Sequence, residues 1–238
     1  MKEAGHQIVA VYSRTMTSAE ALCDVVGGTP ADSIEALPLE ADVFILSVKD
    51  SVLPSLISQL QQGREGQTFL HTAGSIPMTV FGRHQHCGGL YPMQTFSKEK
   101  QVDFSRVHFF IEGNDEQTLA LSRNIASSVT DHVHELSSDE RRYLHLSAVF
   151  ACNFANHCYA LSAKIMEAHG MSFDAMLPLI KETTEKVETM HPRDAQTGPA
   201  IRWDENVMAA QKALLADEPD MQQIYELMSK SIHTLAND

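Results

Sequence analysis

The sequence has few cysteines, little positive charge and no long apolar run, and each shortage excludes a class of protein. Its four cysteines form no Cys-x-x-Cys pair, which argues against a disulfide scaffold and predicts free thiols in a reducing, cytoplasmic compartment. Eighteen Lys and Arg residues stand against 31 Asp and Glu residues, a net charge of −13. This balance predicts no nucleic-acid partner and no attraction to anionic membranes. The run Ile8–Tyr12 is too short for a signal peptide.

A membrane-spanning segment is not expected either. The stretch from Tyr143 to Ala163 contains no Asp, Glu, Lys or Arg and approaches the length that spans a bilayer. However, it contains polar side chains that hydrocarbon tolerates badly. These are His145, Asn153, Asn156 and His157. We therefore expect a helix that is buried within the protein or within a dimer.

Apolar runs and helical patterns alternate in the first part of the chain. Strands are predicted at residues 8–12, 41–48, 68–72, 89–91, 107–112 and 132–136, and helices at 18–26, 51–61 and 115–129. After about Ser137 only helical patterns follow, at 139–169, 172–190, 205–215 and 220–235. The alternation predicts an α/β fold with a parallel sheet. The expected organisation is a sheet domain at residues 1–137 and an all-α domain at 138–238.

The end of the first predicted strand bears on cofactor choice. Tyr12, Ser13, Arg14 and Thr15 follow one another there without an acidic residue. In doubly wound folds this position lies beside the adenosine ribose, where a carboxylate suits NAD and an arginine suits the 2′-phosphate of NADP. The segment therefore predicts an NADP(H) site. The alternative is a solvated arginine at a strand end.

Another candidate segment follows the strand at 68–72. His71, Thr72 and Ser75 lie there, and the carboxyl ends of parallel strands are where open α/β sheets bind ligands. Gly74 would allow close approach of a ligand. We expect His71 and Thr72 near the cofactor and Ser75 near the substrate, with a purely structural histidine as the alternative.

The predicted long helix has a polar side. At 100° per residue, His145 and Asn156 differ by about 20° around the helix axis, and Asn153 and His157 by about 40°. Hydride transfer to C=O or C=N needs a proton donor, and histidine suits that role near neutral pH. We predict His157 and Asn153 as the leading catalytic pair, His145 as the second histidine and Asn156 as a substrate contact. Hydrogen bonding at a dimer interface is the alternative.

Five blocks of the sequence resemble a known family. They read ADVFILSVKDSVL, FLHTAGSIPM, GLYPMQTFSKE, RRYLHLSAVFACNFANHCYAL and AQTGPAIRWDENV. They resemble the bacterial Rossmann-like proteins that have a DUF2520 C-terminal domain. These are similar in layout to pyrroline-5-carboxylate reductase, ketopantoate reductase and prephenate dehydrogenase, and their helical part resembles that of 6-phosphogluconate dehydrogenase. The resemblance covers nearly the whole chain and implies an NADP(H)-dependent oxidoreductase that acts on a small molecule.

The resemblance also implies residues along the cofactor and a place for the substrate. Ser47, Val48 and Lys49 would follow the cofactor's ribose, although a strand-end lysine can simply be solvated. Substrate would bind between the sheet domain and the helical domain. Apart from the resemblance, the predicted helices of the second domain look too apolar to stand alone, so we expect this domain to form a homodimer.

Two loops add possible substrate contacts. Tyr91 stands where prephenate dehydrogenases have a titratable histidine, which weakens any transfer of that family's acid chemistry. Gln94 and Thr95, just after it, would orient a polar substrate or form a structural loop. Arg202 would bind a carboxylate or pair with Asp204, which could also cap a helix that begins at Glu205.

Members of this family begin with a strand, a glycine-rich turn and a helix, and that block is absent here. The resemblance thus implies an N-terminally truncated Rossmann-like domain, in which Met1 falls inside the family's first helix. We expect the true gene product to begin upstream. The absent strand is central in such sheets, so its loss would leave a gap between its neighbours.

Two further hypotheses remain beside the enzyme. The chain could be a ligand-sensing or interaction protein on a degraded Rossmann scaffold, or it could be too short to fold stably. No metal site is predicted, because the spacing of His84, His86 and Cys87 matches no common set of ligands.

Overall fold

The computed structural model describes residues 1–97 and 100–237. The chain divides into two compact units, Met1–Asn153 and Phe154–Asp238. The change of composition near Ser137 marks the start of the helical part, whereas the two units divide within the following helical run. Lys98 and Glu99, which end one of the family-like blocks, lie outside the described residues.

The first unit contains seven described strands. They are β1 Ala10–Tyr12, β2 Thr29–Ala31, β3 Val43–Leu46, β4 Thr68–His71, β5 His86–Met93, β6 His108–Gly113 and β7 Val133–Glu135. Strands β1 and β2 form one sheet, and β3 to β7 form a second sheet in sequence order. All pairings are parallel except β5–β6, which is antiparallel. The predicted α/β class with a mainly parallel sheet is confirmed, and β5–β6 is the antiparallel pair among the described strands.

The described part of the first unit also contains four α-helices. They are α1 Met16–Val26, α2 Leu53–Leu60, α3 Glu116–Ser127 and α4 Ser138–Ala148. Helix α1 ends at Gly27, whose φ of 84° is one that glycine adopts without strain. Helix α4 begins at a capping box, in which the Ser137 hydroxyl accepts a hydrogen bond from the Glu140 backbone and the Glu140 carboxylate accepts one from the Ser137 backbone.

Apolar residues form a separate core on each face of the larger sheet. Phe69 belongs to the core that includes Leu53, Ile57 and Phe81, whereas its neighbour Leu70 belongs to the other. Successive residues of a strand point to opposite faces, so β4 supplies both cores. This explains why all four residues of β4 are buried.

Strands β1 and β3 are not paired with each other. Each has one partner among the described strands, β2 and β4 respectively. Ile45, within β3, is 39% exposed, although the apolar run that contains it predicts a strand covered on both faces. A cavity adjoins this part of the sheet, lined by Ile45 and by Leu22 of α1.

A helical run crosses from the first unit into the second. Helix α4 is followed by a π-helical segment, Val149–Phe154, and then by α5, Ala155–Ala168. The single long helix predicted for 139–169 is therefore interrupted by a wider turn. Gly170 follows it with a φ of 68°, in the C′ position predicted for it.

The second unit is helical throughout its described part. After α5 come α6 Leu177–Thr189, α7 Pro199–Arg202, α8 Glu205–Ala213 and α9 Pro219–Asn237. Asp204 caps α8 as predicted, because its carboxylate accepts a hydrogen bond from the Val207 backbone. No helix in the described part of the chain is both long and apolar enough to cross a membrane.

Candidate active site

The carboxyl ends of β3, β4 and β5 meet at one edge of the larger sheet. Ser47 follows β3, Thr72 follows β4, and Tyr91 lies near the end of β5. The Thr72 backbone donates a 3.1 Å hydrogen bond to the Leu46 carbonyl, which ties the first two ends together. A cavity of about 930 Å³ is lined by Ser47, Thr72, Tyr91 and Gln94. Three of these four residues were predicted from the sequence as site residues.

The cavity wall is mainly apolar. Ile45, Leu90 and Phe109 contribute to it, and the charged side chains among its described lining residues are Glu3 and Asp103. Neither is positive, so no described side chain of this wall offers a cation to a phosphate. An uncharged ring is the kind of group that such a wall accommodates.

Tyr91 and His145 form a hydrogen-bonded pair. The Tyr91 hydroxyl lies 3.1 Å from Nδ1 of His145, and the tautomer of the imidazole sets which partner donates. The rings meet edge to face, with centroids 6.0 Å apart. Burial raises the pKa of Tyr91, the nearby Cys152 adds to the rise, and Arg141 opposes it. The phenol is therefore protonated at neutral pH and able to donate.

Gly74 makes room for this pair. A Cβ placed on Gly74 would lie 2.6 Å from Nδ1 of His145 and 3.0 Å from the Tyr91 ring. Real Cβ atoms are not found so close to other atoms, so any larger residue would displace the imidazole or the loop. From the sequence, Gly74 was expected to allow close approach of a ligand, whereas in the structure it allows close approach of His145.

His71 is buried and differs from the predicted cofactor contact. Its side chain is fully enclosed, its Nδ1 accepts a hydrogen bond from the Ala73 backbone, and its ring stacks on Phe81. Burial and then the positive charge of Arg141 lower the pKa of His71 to about 4, although Asp50 opposes them. The ring is thus a neutral part of the core, which favours the structural alternative.

The remaining loop residues have local partners. The Ser75 hydroxyl donates a short hydrogen bond to the Asp50 carboxylate. Gln94 and Thr95 are exposed, and the Thr95 backbone donates to the Gln94 side-chain oxygen over 2.8 Å. Val48 and Lys49 are exposed immediately after Ser47. Gln94, already part of the cavity wall, is thereby held by its own neighbour.

The predicted 2′-phosphate segment lies at the junction of β1 and α1. Tyr12 ends β1, Ser13 is half-buried, and Arg14 and Thr15 are exposed. The first turn of α1 has no acidic residue, so no carboxylate there repels an anion. The N-terminal end of the helix dipole is positive and favours one. No ion pair within the described chain involves Arg14. Its guanidinium is therefore available to a ligand.

The polar residues predicted for one regular helix are divided among three segments: His145 lies in α4, Asn153 in the π-helical segment, and Asn156 and His157 in α5. The π-helical segment lies between His145 and Asn156, and its wider turn invalidates the calculation of 100° per residue that placed them together. Asn153, Asn156 and His157 are exposed, so their polar groups can form hydrogen bonds with water and do not require partners in the protein. Asn156, His157 and the exposed Arg202 belong to the second unit, and their roles stay predictions.

Tyr91 and Arg141 have contacts that their local sequence does not indicate. Tyr91 was treated as a loss of acid chemistry, although its hydroxyl is the group that meets His145. Arg141, whose side chain is 1% exposed and paired with Glu112, was not singled out. The position of Tyr91 at the end of a predicted strand is a signal for a ligand site. Its partner His145 was not predictable, because it lies on a helix far along the chain.

His86 and Cys87, two of the residues considered for a metal site, have structural surroundings. His86 Nδ1 lies 2.9 Å from the Asp115 carboxylate, and Cys87 is buried. Burial raises the pKa of Cys87 to about 11, so its thiol stays protonated. A search of the described residues finds no group of three side chains able to hold a metal ion.

Comparisons with known proteins identify the family. Residues 107–232 match the profile of a domain of unknown function, DUF2520, and residues 1–73 match a profile described as NADP oxidoreductase, coenzyme F420-dependent. No curated protein matches the chain.

Solved structures share the fold over nearly the full length. A Bacteroides fragilis protein described as a candidate NADP oxidoreductase is 46% identical, with 98% of this chain and 91% of that chain covered and a TM-score of 0.92. A Thermotoga maritima protein is 22% identical, with 97% and 92% covered and a TM-score of 0.81. An imine reductase from Myxococcus stipitatus, solved with NADP+, is 14% identical, with 99% and 88% covered and a TM-score of 0.61.

The last two structures are too distant in sequence to show more than a shared fold. A pyrroline-5-carboxylate reductase and a prephenate dehydrogenase, whose layout the sequence had suggested, also share it. The DUF2520 profile matches more than half of the chain, and the Bacteroides fragilis protein extends the match to nearly all of it. The chain therefore belongs to the DUF2520 family, and its first part is a Rossmann-like domain.

Proposed function

We propose that this protein is an NADP(H)-dependent oxidoreductase that reduces a C=N or C=O group of a small substrate. The observation that carries the proposal is the Tyr91–His145 hydrogen bond, 3.1 Å long, beside a cavity at the carboxyl edge of the sheet. Ligands of open α/β sheets bind at this edge. A proton donor there is what the reduction of such a double bond requires.

The residues present fit the two ends of the cofactor. Arg14, with the hydroxyls of Ser13 and Thr15, provides a cation and donors for a 2′-phosphate. The apolar wall beside Ser47 and Thr72 fits an uncharged nicotinamide ring. When bound, the reduced cofactor supplies the hydride that the substrate carbon accepts.

The chain's own residues supply the proton. The Tyr91 phenol, held protonated by burial, donates its proton to the substrate nitrogen or oxygen as that atom gains electron density. His145, with a proton on Nδ1, donates a hydrogen bond that stabilises the resulting phenolate. The phenolate regains its proton from solvent after the product has left. The apolar wall limits access of water to the reacting bond.

Binding of NADPH tests the cofactor assignment. We expect calorimetry to show tighter binding of NADPH than of NADH, because only NADPH carries the 2′-phosphate. Arg14→Ala should remove most of this preference, while Arg14→Lys should keep part of it. Arg83→Ala, a change at another exposed arginine, is the control. Equal binding of both cofactors by the unaltered protein would contradict the assignment.

Turnover tests the proton donor. Tyr91→Phe should lower kcat for NADPH-dependent reduction of a cyclic imine by about 10²- to 10⁴-fold, because general acid catalysis is lost. Affinity for NADPH should change little. Tyr143→Phe, on the exposed side of α4, is the matched control. NADPH binding without turnover of any imine or carbonyl compound would instead support the ligand-sensing hypothesis.

The homodimer is also a proposal, supported by the second unit taken by itself. Helices α5, α6 and α8 contain no buried residue. Helix α6 nevertheless carries Leu177 and Leu179, which are strongly exposed, and the exposed Leu214 follows the end of α8. Apolar patches of this kind mark protein interfaces. A second copy of the chain is the partner that we propose for them.

A further inference from the structure

A buried ion pair lies one helical turn before His145. The Arg141 side chain is 1% exposed, and its Nη1 lies 2.6 Å from Oε2 of Glu112, whose side chain is 19% exposed. Nη2 of Arg141 donates a 2.7 Å hydrogen bond to the Ile76 carbonyl. The Ser138 hydroxyl also donates to Glu112, over 2.7 Å. Burying two charges is costly, so a buried ion pair is weak evidence for a role in stability alone.

Arg141 and His145 both project from α4 onto strand β5. Arg141 and His145 are four residues apart on α4 and so share one side of the helix. Gly89 and Tyr91 are two residues apart on β5 and so share one face of the strand. A Cβ on Gly89 would lie 2.9 Å from Nη1 of Arg141, so the guanidinium rests directly on the backbone there. Arg141 therefore sits over Gly89 as His145 sits over Tyr91.

The loop after β4 is held by the same groups. The Ile76 carbonyl accepts from Arg141, and the Met78 backbone donates a 3.0 Å hydrogen bond to the Ser138 hydroxyl. Earlier in this loop, Gly74 touches the His145 ring. The ion pair thus links strand β6, helix α4 and the loop that confines the imidazole.

We propose that Arg141, held by Glu112, is a positioning residue that places His145 against the Tyr91 hydroxyl. The two contacts along α4 set both the height and the rotation of the helix over β5, which a single contact could not do. The kinetic part of this inference rests on the proposed function, whereas its structural part does not.

The charged and titratable groups around Tyr91 make the inference measurable. From α4 and the segment after it come Arg141, His145 and Cys152, and from β6 comes Glu112 as the partner of Arg141. Burial raises the pKa of Tyr91 most, and the positive charge of Arg141 opposes the rise. Removal of this charge should therefore move the ionisation of Tyr91 to higher pH.

The test compares three variants. The double variant Arg141→Met with Glu112→Gln removes both charges, so neither is left buried alone. Arg141→Lys keeps the charge but cannot contact Glu112 and Ile76 with the same planar geometry. Arg142→Met is the control, because Arg142 is the next residue on α4 and forms only an exposed pair with Asp139. Folding of each variant is checked by circular dichroism.

The main readout is the ionisation of Tyr91, followed by NMR in the intact protein without substrate. We expect the double variant to shift it to higher pH and to weaken the His145 contact, seen as a change in the imidazole nitrogen shifts. Arg141→Lys should also change the imidazole nitrogen shifts. It should move the ionisation of Tyr91 less than the double variant does, because lysine keeps the positive charge. Arg142→Met should change neither.

The second readout is kcat with NADPH and a cyclic imine. A fall of at least about tenfold in the double variant, with little change in affinity for NADPH, is expected for lost positioning. Unchanged Tyr91 ionisation and imidazole shifts in a folded variant would overturn the inference. Where the double variant does not fold, the imidazole shifts of Arg141→Lys decide the same question. Absence of turnover in the unaltered protein would contradict the proposed function, while the NMR readout would still decide the positioning.

Discussion

Gly74 shows how one missing side chain determines the geometry of a site. Its absent Cβ leaves space that the His145 ring occupies, with Nδ1 2.6 Å from where that atom would be. The hydrogen bond to Tyr91 depends on this proximity. The arrangement of Tyr91 and His145 thus depends on a residue that has no side chain.

Gly74→Ala should therefore separate His145 from Tyr91. We expect it to lower the free energy of unfolding by about 1–3 kcal/mol, because an added methyl group overpacks the contact. Gly66→Ala, at a glycine with open space around it, should change stability by much less. Denaturant unfolding measures both, and equal effects of the two substitutions would contradict the packing argument.

His71 predicts a pH dependence of stability. Burial lowers its pKa from 6.5 to about 4, so between these values the unfolded chain binds a proton that the folded chain does not. The stabilisation is complete above pH 6.5 and declines as the pH falls toward 4. Its full extent is about 3 kcal/mol.

His71→Asn provides the comparison for this effect, because asparagine retains a hydrogen-bond acceptor but does not titrate. Unfolding in denaturant is measured at several pH values from 7 to 4. The unaltered protein should lose more stability over this range than the variant does. Parallel losses in the two proteins would show that His71 is not responsible.

At the scale of elements, helix α4 determines the site because it carries both Arg141 and His145. The charge pattern in its first turn, with Asp139 and Glu140 following Ser137, is one that starts a helix. The start of this helix was therefore predictable to within about two residues. The packing of this helix on β5 was not predictable, because the contact between Gly89 and Arg141 joins residues that are distant along the chain.

Ser137→Ala should weaken the start of α4. Loss of the cap leaves a backbone N–H without its partner and costs about 1 kcal/mol in the free energy of unfolding. Ser147→Ala, on the same helix, removes a hydroxyl that donates only to the Tyr143 carbonyl and should cost less. Denaturant unfolding of the two variants tests this difference.

Other elements show where local patterns were insufficient. Strand β2 was missed because it has only three residues, one of them proline. The antiparallel pairing of β5 with β6 was missed because alternation of strands and helices indicates parallel pairing. Among the described residues between these two strands, the one helical element is a 3₁₀ turn at Phe104–Arg106. The π-helical segment has no distinctive composition, so the sequence predicted a regular helix there.

At the scale of the whole molecule, the proposed dimer gives a clear prediction. Light scattering should show a dimer at micromolar concentration. Leu179→Glu, which places a charge on an exposed apolar position of α6, should weaken association by at least about tenfold. Lys181→Glu, on the same helix, should not. A monomeric unaltered protein would contradict the proposal.

The sequence by itself determined the order of most strands and helices, the change from α/β to all-α organisation, and the family. These follow from periodicity and from helix-ending signals, which act over a few residues. The tertiary structure alone decided that His71 is core and that Tyr91 and His145 form a pair. It also decided that Arg141 rests on Gly89. The reason is physical: burial, and the pKa shifts and close contacts that come with it, depend on which distant segments pack together, and no local pattern specifies that.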